Sequence, residues 1–153
     1  MDMELLSRFQ FSDIVSLYML DKERQSVGLV VSPDKMESSI HKDKEYANDS
    51  LIQIKILGDD YPFGFSQGRT MRNAQSTMEL KFDTQYVIDE VQSKTVVTVL
   101  KNARNHILEH RLKWYEGHNA VEISSAFKNN NAGVIFSDGI ESDYLQFIQE
   151  LKQ

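Results

Sequence analysis

From residue 51 onward, apolar side chains recur at every second position in one short run after another. Ile52, Ile54 and Ile56 alternate with Gln53 and Lys55; Met78, Leu80 and Phe82 alternate with Thr77, Glu79 and Lys81; His106, Leu108, His110, Leu112 and Trp114 share one side of a further run. A period of two is the mark of a half-buried strand, because successive side chains of a strand point to opposite faces. The pattern predicts strands over 51–57, 77–82, 85–91, 94–100, 106–114, 120–127 and 133–136. Turns rich in Asn, Gly and Ser fall at 92–93, 102–105, 116–119 and 129–131. Earlier in the chain, 9–20 and 25–31 flank a charged turn at 21–24 and read as a hairpin. The segment 32–48, which carries Pro33, reads as a loop, and 58–73 as a longer one. Regularly spaced strands with turn residues between them predict an all-β, antiparallel sandwich.

Composition agrees. Val, Ile, Thr and the aromatics supply 42 residues against only 6 Ala, and β-branched and aromatic side chains suit a pleated surface whereas Ala-poor chains make weak helices. Only the end departs. Over 143–152, Tyr144, Phe147, Ile148 and Leu151 fall at helical spacing and Ser142 could cap them, so a short C-terminal helix is expected, with a final strand as the alternative. A length of 153 residues suits a single domain spanning 1–153.

The charge balance narrows the function. With 17 Lys and Arg against 23 Asp and Glu, the chain lacks the cationic surface that phosphate neutralisation requires, which argues against nucleic acid or an anionic membrane as partner. The absence of cysteine removes disulfides, thiolate-ligated metals and thiol nucleophiles. No apolar run nears the roughly 20 residues of a membrane helix. Residues 1–10 carry neither the basic nor the apolar part of a secretory signal, so a cytoplasmic location is expected. Without a signal, the glycosylation sequon Asn48-Asp49-Ser50 reads as chance.

Residue chemistry points to one loop. His106 and His110 lie four apart, which would grip zinc on a helix. On a strand they are about 13 Å apart, too far to share an ion, and read as histidines of a partly buried sheet face. Asp89 and Glu90, adjacent on a strand, face opposite ways. Neither a Walker loop nor a G-x-S-x-G elbow is present. The loop 58–73 gathers Asp59, Asp60, Tyr61, Phe63, Phe65, Arg69, Arg72 and Asn73. Aromatic rings beside charged hydrogen-bonding groups suit a pyranose, which offers an apolar face and a rim of hydroxyls. The competing reading is a packed loop with structural arginines, paired turn acids being common turn formers. No metal and no cofactor are expected.

The string Leu57-Gly58-Asp59-Asp60-Tyr61-Pro62, then Gly64-Phe65 and Gly68-Arg69-Thr70-Met71-Arg72-Asn73 leading to Ser76 and Leu80-Lys81-Phe82, resembles the N-terminal domain of family 36 glycoside hydrolases, the retaining α-galactosidases. Glu109-His110-Arg111-Leu112-Lys113-Trp114-Tyr115-Glu116-Gly117, Val121-Glu122-Ile123 and Asn129-Asn130-Asn131 resemble it too, so the likeness spans roughly residues 50–135, and the tail from Ser137 departs from it. The resemblance implies a large β-sandwich, the supersandwich, preceding a catalytic (β/α)8 barrel that carries two Asp as nucleophile and acid/base. Retaining hydrolysis needs its two carboxyl groups about 5 Å apart around the sugar, and the barrel that holds them is outside this sequence. The chain is therefore expected to be inactive alone, a partial sandwich that supports the barrel. Its expected substrate contacts, by analogy with domains that lend a loop to a neighbouring subunit, are Asp59, Asp60, Tyr61 and Arg69, with a galactoside as ligand. Half a sandwich leaves a sheet face or strand edge open, which implies a homo-oligomer, or a rearranged domain whose last segment covers the face. Two further readings stay open: a stand-alone carbohydrate-binding module using Tyr61, Phe63 and Phe65 as its platform, and a structural or interaction domain.

Overall fold

The computed structural model describes residues 3–40, 49–61, 71, 74–130 and 137–142. These residues form an all-β, antiparallel, sandwich-like fold. Strands β1 (Met3–Phe11), β2 (Ile14–Asp21) and β3 (Ser26–Pro33) make a three-stranded sheet in the order β1-β2-β3. Strands β5 (Lys81–Asp89), β6 (Ser93–Lys101), β7 (His106–Tyr115) and β8 (Val121–Asn129) make a four-stranded meander. A separate pair joins β4 (Ile52–Ile56) to β9 (Ser137–Ser142). Two one-turn helices interrupt the strands: α1 (Glu37–Ile40), preceded by a 3-10 turn at Asp34–Met36, and α2 (Gln75–Met78).

The core lies between the sheets. Tyr18, Leu20, Leu29 and Val31 from the smaller sheet meet Val96, Leu100, Leu108 and Leu112 from the larger one, with Ile52, Ile54 and Ile56 of β4 joining the same cluster. Burying each such side chain contributes about 1.5–3 kcal/mol. Two main-chain bonds tie the layers at the side: Leu51 N–H donates to Val27 O and Phe82 N–H to Gln25 O. The three-stranded sheet is buried on its second face as well, through Val15, Leu17 and Val30. Arg8, which pairs with Leu17 on that face, reaches Glu37 of α1 through Nε (2.5 Å) and Nη2 (2.8 Å).

A polar row crosses this core. The register places Gln85, Thr98, His110 and Ser125 side by side across β5 to β8. Ser7 Oγ of β1 donates to Gln85 Oε1 (2.5 Å), and Gln85 Nε2 donates to Thr98 Oγ1 (2.9 Å). His106, Leu108, His110 and Leu112 are all buried on one face of β7, as their alternation predicts.

Three elements differ from expectation. The segment 9–20 is two strands, not one, because the chain reverses at Ser12 and Asp13 between the paired residues Phe11 and Ile14. Ser12 takes φ 59° there, so the two-residue turn is made without the Gly or Asn that marks such turns in a sequence. The hairpin around 21–24 does form: Asp21 Oδ1 accepts the N–H groups of Glu23 and Arg24, and Asp21 pairs with Ser26. The strand expected over 77–82 is instead α2 followed by the start of β5. The loop expected over 32–48 begins with the end of β3 and the two short helical turns. In the tail, β9 at Ser137–Ser142 pairs with β4, with Ile54 opposite Ile140. The expected strand 133–136 and helix 143–152 lie outside the described residues.

Candidate functional site

The loop that follows β4 is rooted on a buried carboxylate. Gly58 adopts φ 94° and turns the chain so that Asp59 N–H donates to Ile56 O (2.9 Å). Asp59 Oδ2 then accepts two main-chain donors, Ile56 N–H (3.0 Å) and Ser76 N–H (3.1 Å). Ser76 is the second residue of α2, so the carboxylate serves that turn as a cap reached from a distant part of the chain. Its other oxygen lies 3.6 Å from Arg104 Nη1, and the side chain is only 2% exposed.

Arg104 gathers the surroundings. From the turn between β6 and β7 it donates from Nη2 to Ser76 Oγ (2.7 Å) and sets Nε 3.0 Å from Glu79 Oε2. Asn102 shapes that turn, its Oδ1 accepting from Arg104 N–H (2.9 Å) and His106 N–H (3.1 Å). With Oδ1 so engaged, the Asn102 amide nitrogen is the donor toward His106 Nδ1 (3.1 Å), which places the proton of the neutral ring on Nε2. Burial, then the nearby Arg104 guanidinium, holds the His106 pKa below its ordinary value.

The same α2 turn is fastened to β4. Thr77 Oγ1 accepts Ile54 N–H and donates to Ile54 O, both at 2.8 Å. Buried Gln53, which the alternation assigned to an outward face, accepts Met71 N–H through Oε1 (3.0 Å) and so tethers the far end of the loop.

Of the four residues singled out in the sequence, the structure brings three together. Asp59 is buried and engaged by main chain and guanidinium. Asp60 is held by its backbone, its N–H donating to Gln75 Oε1 (3.2 Å) and its carbonyl accepting Gln75 N–H (2.9 Å), while the residue itself is exposed. Tyr61 is half-buried with Lys55 Nζ 5.3 Å from its ring centroid. Arg69 lies outside the described residues, as do Phe63, Phe65, Arg72 and Asn73. The sequence reading missed Arg104, and gave Ser76 and Thr77 no part in holding the loop. Their only local signal is a polar turn, and their role depends on elements far apart in the chain. Among the described residues no three His, Asp or Glu side chains converge as a metal site.

Chemically, the arrangement separates two adjacent acids. Asp59 spends its lone pairs on the fold, and Asp60, exposed and next in sequence to the half-buried Tyr61, carries a carboxylate able to accept hydroxyl hydrogen bonds. No family model, curated protein or solved structure matches this chain. No helix among the described residues is long and apolar enough to cross a membrane.

Proposed function

We propose that this chain is the non-catalytic N-terminal β-sandwich domain of an α-galactosidase-like retaining glycoside hydrolase of the cytoplasm. In this reading it supports the catalytic barrel and the oligomer, and its post-β4 loop contributes Asp60 and Tyr61 to a galactoside site, with Asp59 as the anchor and Arg69 as a further contact. The reading rests on the resemblance of the 57–82 and 109–131 strings and is supported by the antiparallel, sandwich-like fold of the described residues. The observation that carries it furthest is the rigid root of the loop: a buried Asp59 clamped by Ile56, Ser76 and Arg104 fixes the backbone from which exposed Asp60 projects.

Calorimetric titration with galactose, melibiose and raffinose, run beside light scattering, tests the loop and the assembly. Binding that disappears in Asp60→Ala at unchanged melting temperature supports the sugar contact; a monomer without affinity for any of the three removes both the contact and the oligomer. The scaffold role has its own test in the encoding reading frame, where a following (β/α)8 barrel with two active-site Asp residues is expected.

A further inference from the structure

At the opposite end of β7 from Arg104, a cleft of about 340 Å³ opens between the β5–β6 turn and the end of β7, lined by Trp114, Asp89, Glu90, Lys94 and Glu116. Its walls are tied together: Glu90 N–H donates to Ser93 O (2.9 Å) and Glu116 N–H to Gln92 O (2.8 Å), so the two turns move as one. The indole is fixed as well. Trp114 Nε1 donates to His118 O (2.7 Å), and Phe11 stacks on one ring face with centroids 5.5 Å apart and planes 13° from parallel. Contact from the cleft therefore falls on the other face or the ring edge. Around the indole stand three carboxylates and one ammonium, all on exposed residues, and among the described residues none of the four takes part in an ion pair. Val91, at the lip, is 94% exposed, an apolar group that nothing in the fold uses.

We propose that this cleft is a binding site for a neutral hexopyranoside, separate from the post-β4 loop and independent of whether that loop binds sugar. An immobilised aromatic ring with an apolar lip suits the C–H face of a pyranose; Glu90 Oε2 already accepts Ser93 Oγ (3.4 Å), and the carboxylates of Asp89 and Glu116, in no ion pair among the described residues, accept hydroxyls more strongly than neutral groups do. The volume lies at the small end of ligand pockets, which fits one or two sugar rings. Three carboxylates against one ammonium reject an anionic sugar, so a hexuronate is the poor ligand of the series.

The chain contains a single tryptophan, so intrinsic fluorescence and the indole N–H resonance report on this cleft alone. Titration with methyl α-D-galactopyranoside and methyl β-D-glucopyranoside is expected to shift the Trp114 signals saturably at millimolar concentration, and galacturonate to do so at least about fivefold more weakly. Asp89→Asn and Glu116→Gln are each expected to weaken binding by about fivefold without moving the melting temperature. Asp60→Ala should leave the Trp114 titration intact. Silence of both Trp114 signals up to saturating sugar overturns the site, as does a response that survives the Asp89→Asn/Glu116→Gln double variant. A response abolished by Asp60→Ala alone assigns the sugar to the loop and likewise overturns it.

Discussion

Asp59 and Ser76 are joined by one carboxylate oxygen, Asp59 Oδ2 accepting the Ser76 N–H at 3.1 Å while also holding Ile56 N–H at 3.0 Å. The bond links the end of β4 to the first turn of α2 across the whole loop. Removing it in Asp59→Ala strands two main-chain donors and leaves Arg104 without that partner. Unmade buried hydrogen bonds cost about 1–3 kcal/mol each, and partial solvation in the loop places the total at about 2–3 kcal/mol. A fall of roughly 6–10 °C in melting temperature is the expected calorimetric result. Asp59→Asn keeps an acceptor for both donors and loses only the attraction to Arg104, so it should cost less than half as much.

Gly58, next to it, is needed for conformation and not for space. A Cβ there meets no atom within 4 Å, yet φ is 94°, where L residues are strained. Gly58→Ala should therefore cost about 1–2 kcal/mol in chemical denaturation, and Gly58→Asn, a residue more tolerant of positive φ, should recover part of it. Equal losses for the two would point to a steric cause instead.

Thr77 shows why the strand reading of 77–82 fails. Its hydroxyl bonds both the N–H and the C=O of Ile54, doing for β4 what a neighbouring strand's main chain would do. Thr77→Val keeps the shape and removes both bonds, leaving two buried main-chain groups unmet at a cost of about 2–4 kcal/mol. Thr77→Ser should restore most of that stability. Amide exchange read at Ile54 distinguishes the variants: it should quicken in the valine variant and stay near wild type in the serine variant.

What the sequence makes legible here is whatever is encoded at short range. The alternation of Leu108, Leu112 and the two histidines places β7 and its buried face correctly, because a period of two admits only one arrangement of a half-buried strand. The meander β6-β7-β8 follows from turns of ordinary composition. The turn at Ser12 is missed because Ser12 and Asp13, though both turn formers, lack the Gly that marks a two-residue hairpin, and Ser12 takes φ 59° without it. The Met78-Leu80-Phe82 alternation is a coincidence of a helical turn meeting a strand, and only the tertiary bonds of Thr77 and Asp59 decide the outcome. The root of the candidate loop is legible to the same degree: Asp59, Asp60 and Tyr61 stand out by local composition alone, whereas Arg104, which ties Asp59 to Ser76 and Glu79, comes from a turn whose sequence says nothing of either. The pairing of β4 with β9 is likewise non-local and has no local signal.

His110 sets the response of the fold to acid. It is fully buried between Thr98 and Ser125 in the register, neither ring nitrogen has a hydrogen-bond partner among the described residues, and burial pushes its pKa down to about 4. An unfolded histidine titrates near 6.5. Between those values the unfolded chain holds a proton that the folded chain does not, so stability is complete above pH 6.5 and falls as the pH drops toward 4. The loss approaches roughly 3 kcal/mol and then levels off for this group. His106, whose pKa is also lowered, adds a contribution of the same sign. His110→Leu removes two unsatisfied nitrogens and the proton-binding site together. Urea denaturation at pH 7 and pH 4.5 should find this variant near wild type at the higher pH and more stable by about 2–3 kcal/mol at the lower. A wild-type stability unchanged between the two pH values would mean that the imidazole has access to water or a partner in the folded protein, and the unpartnered His110 would then have to be abandoned.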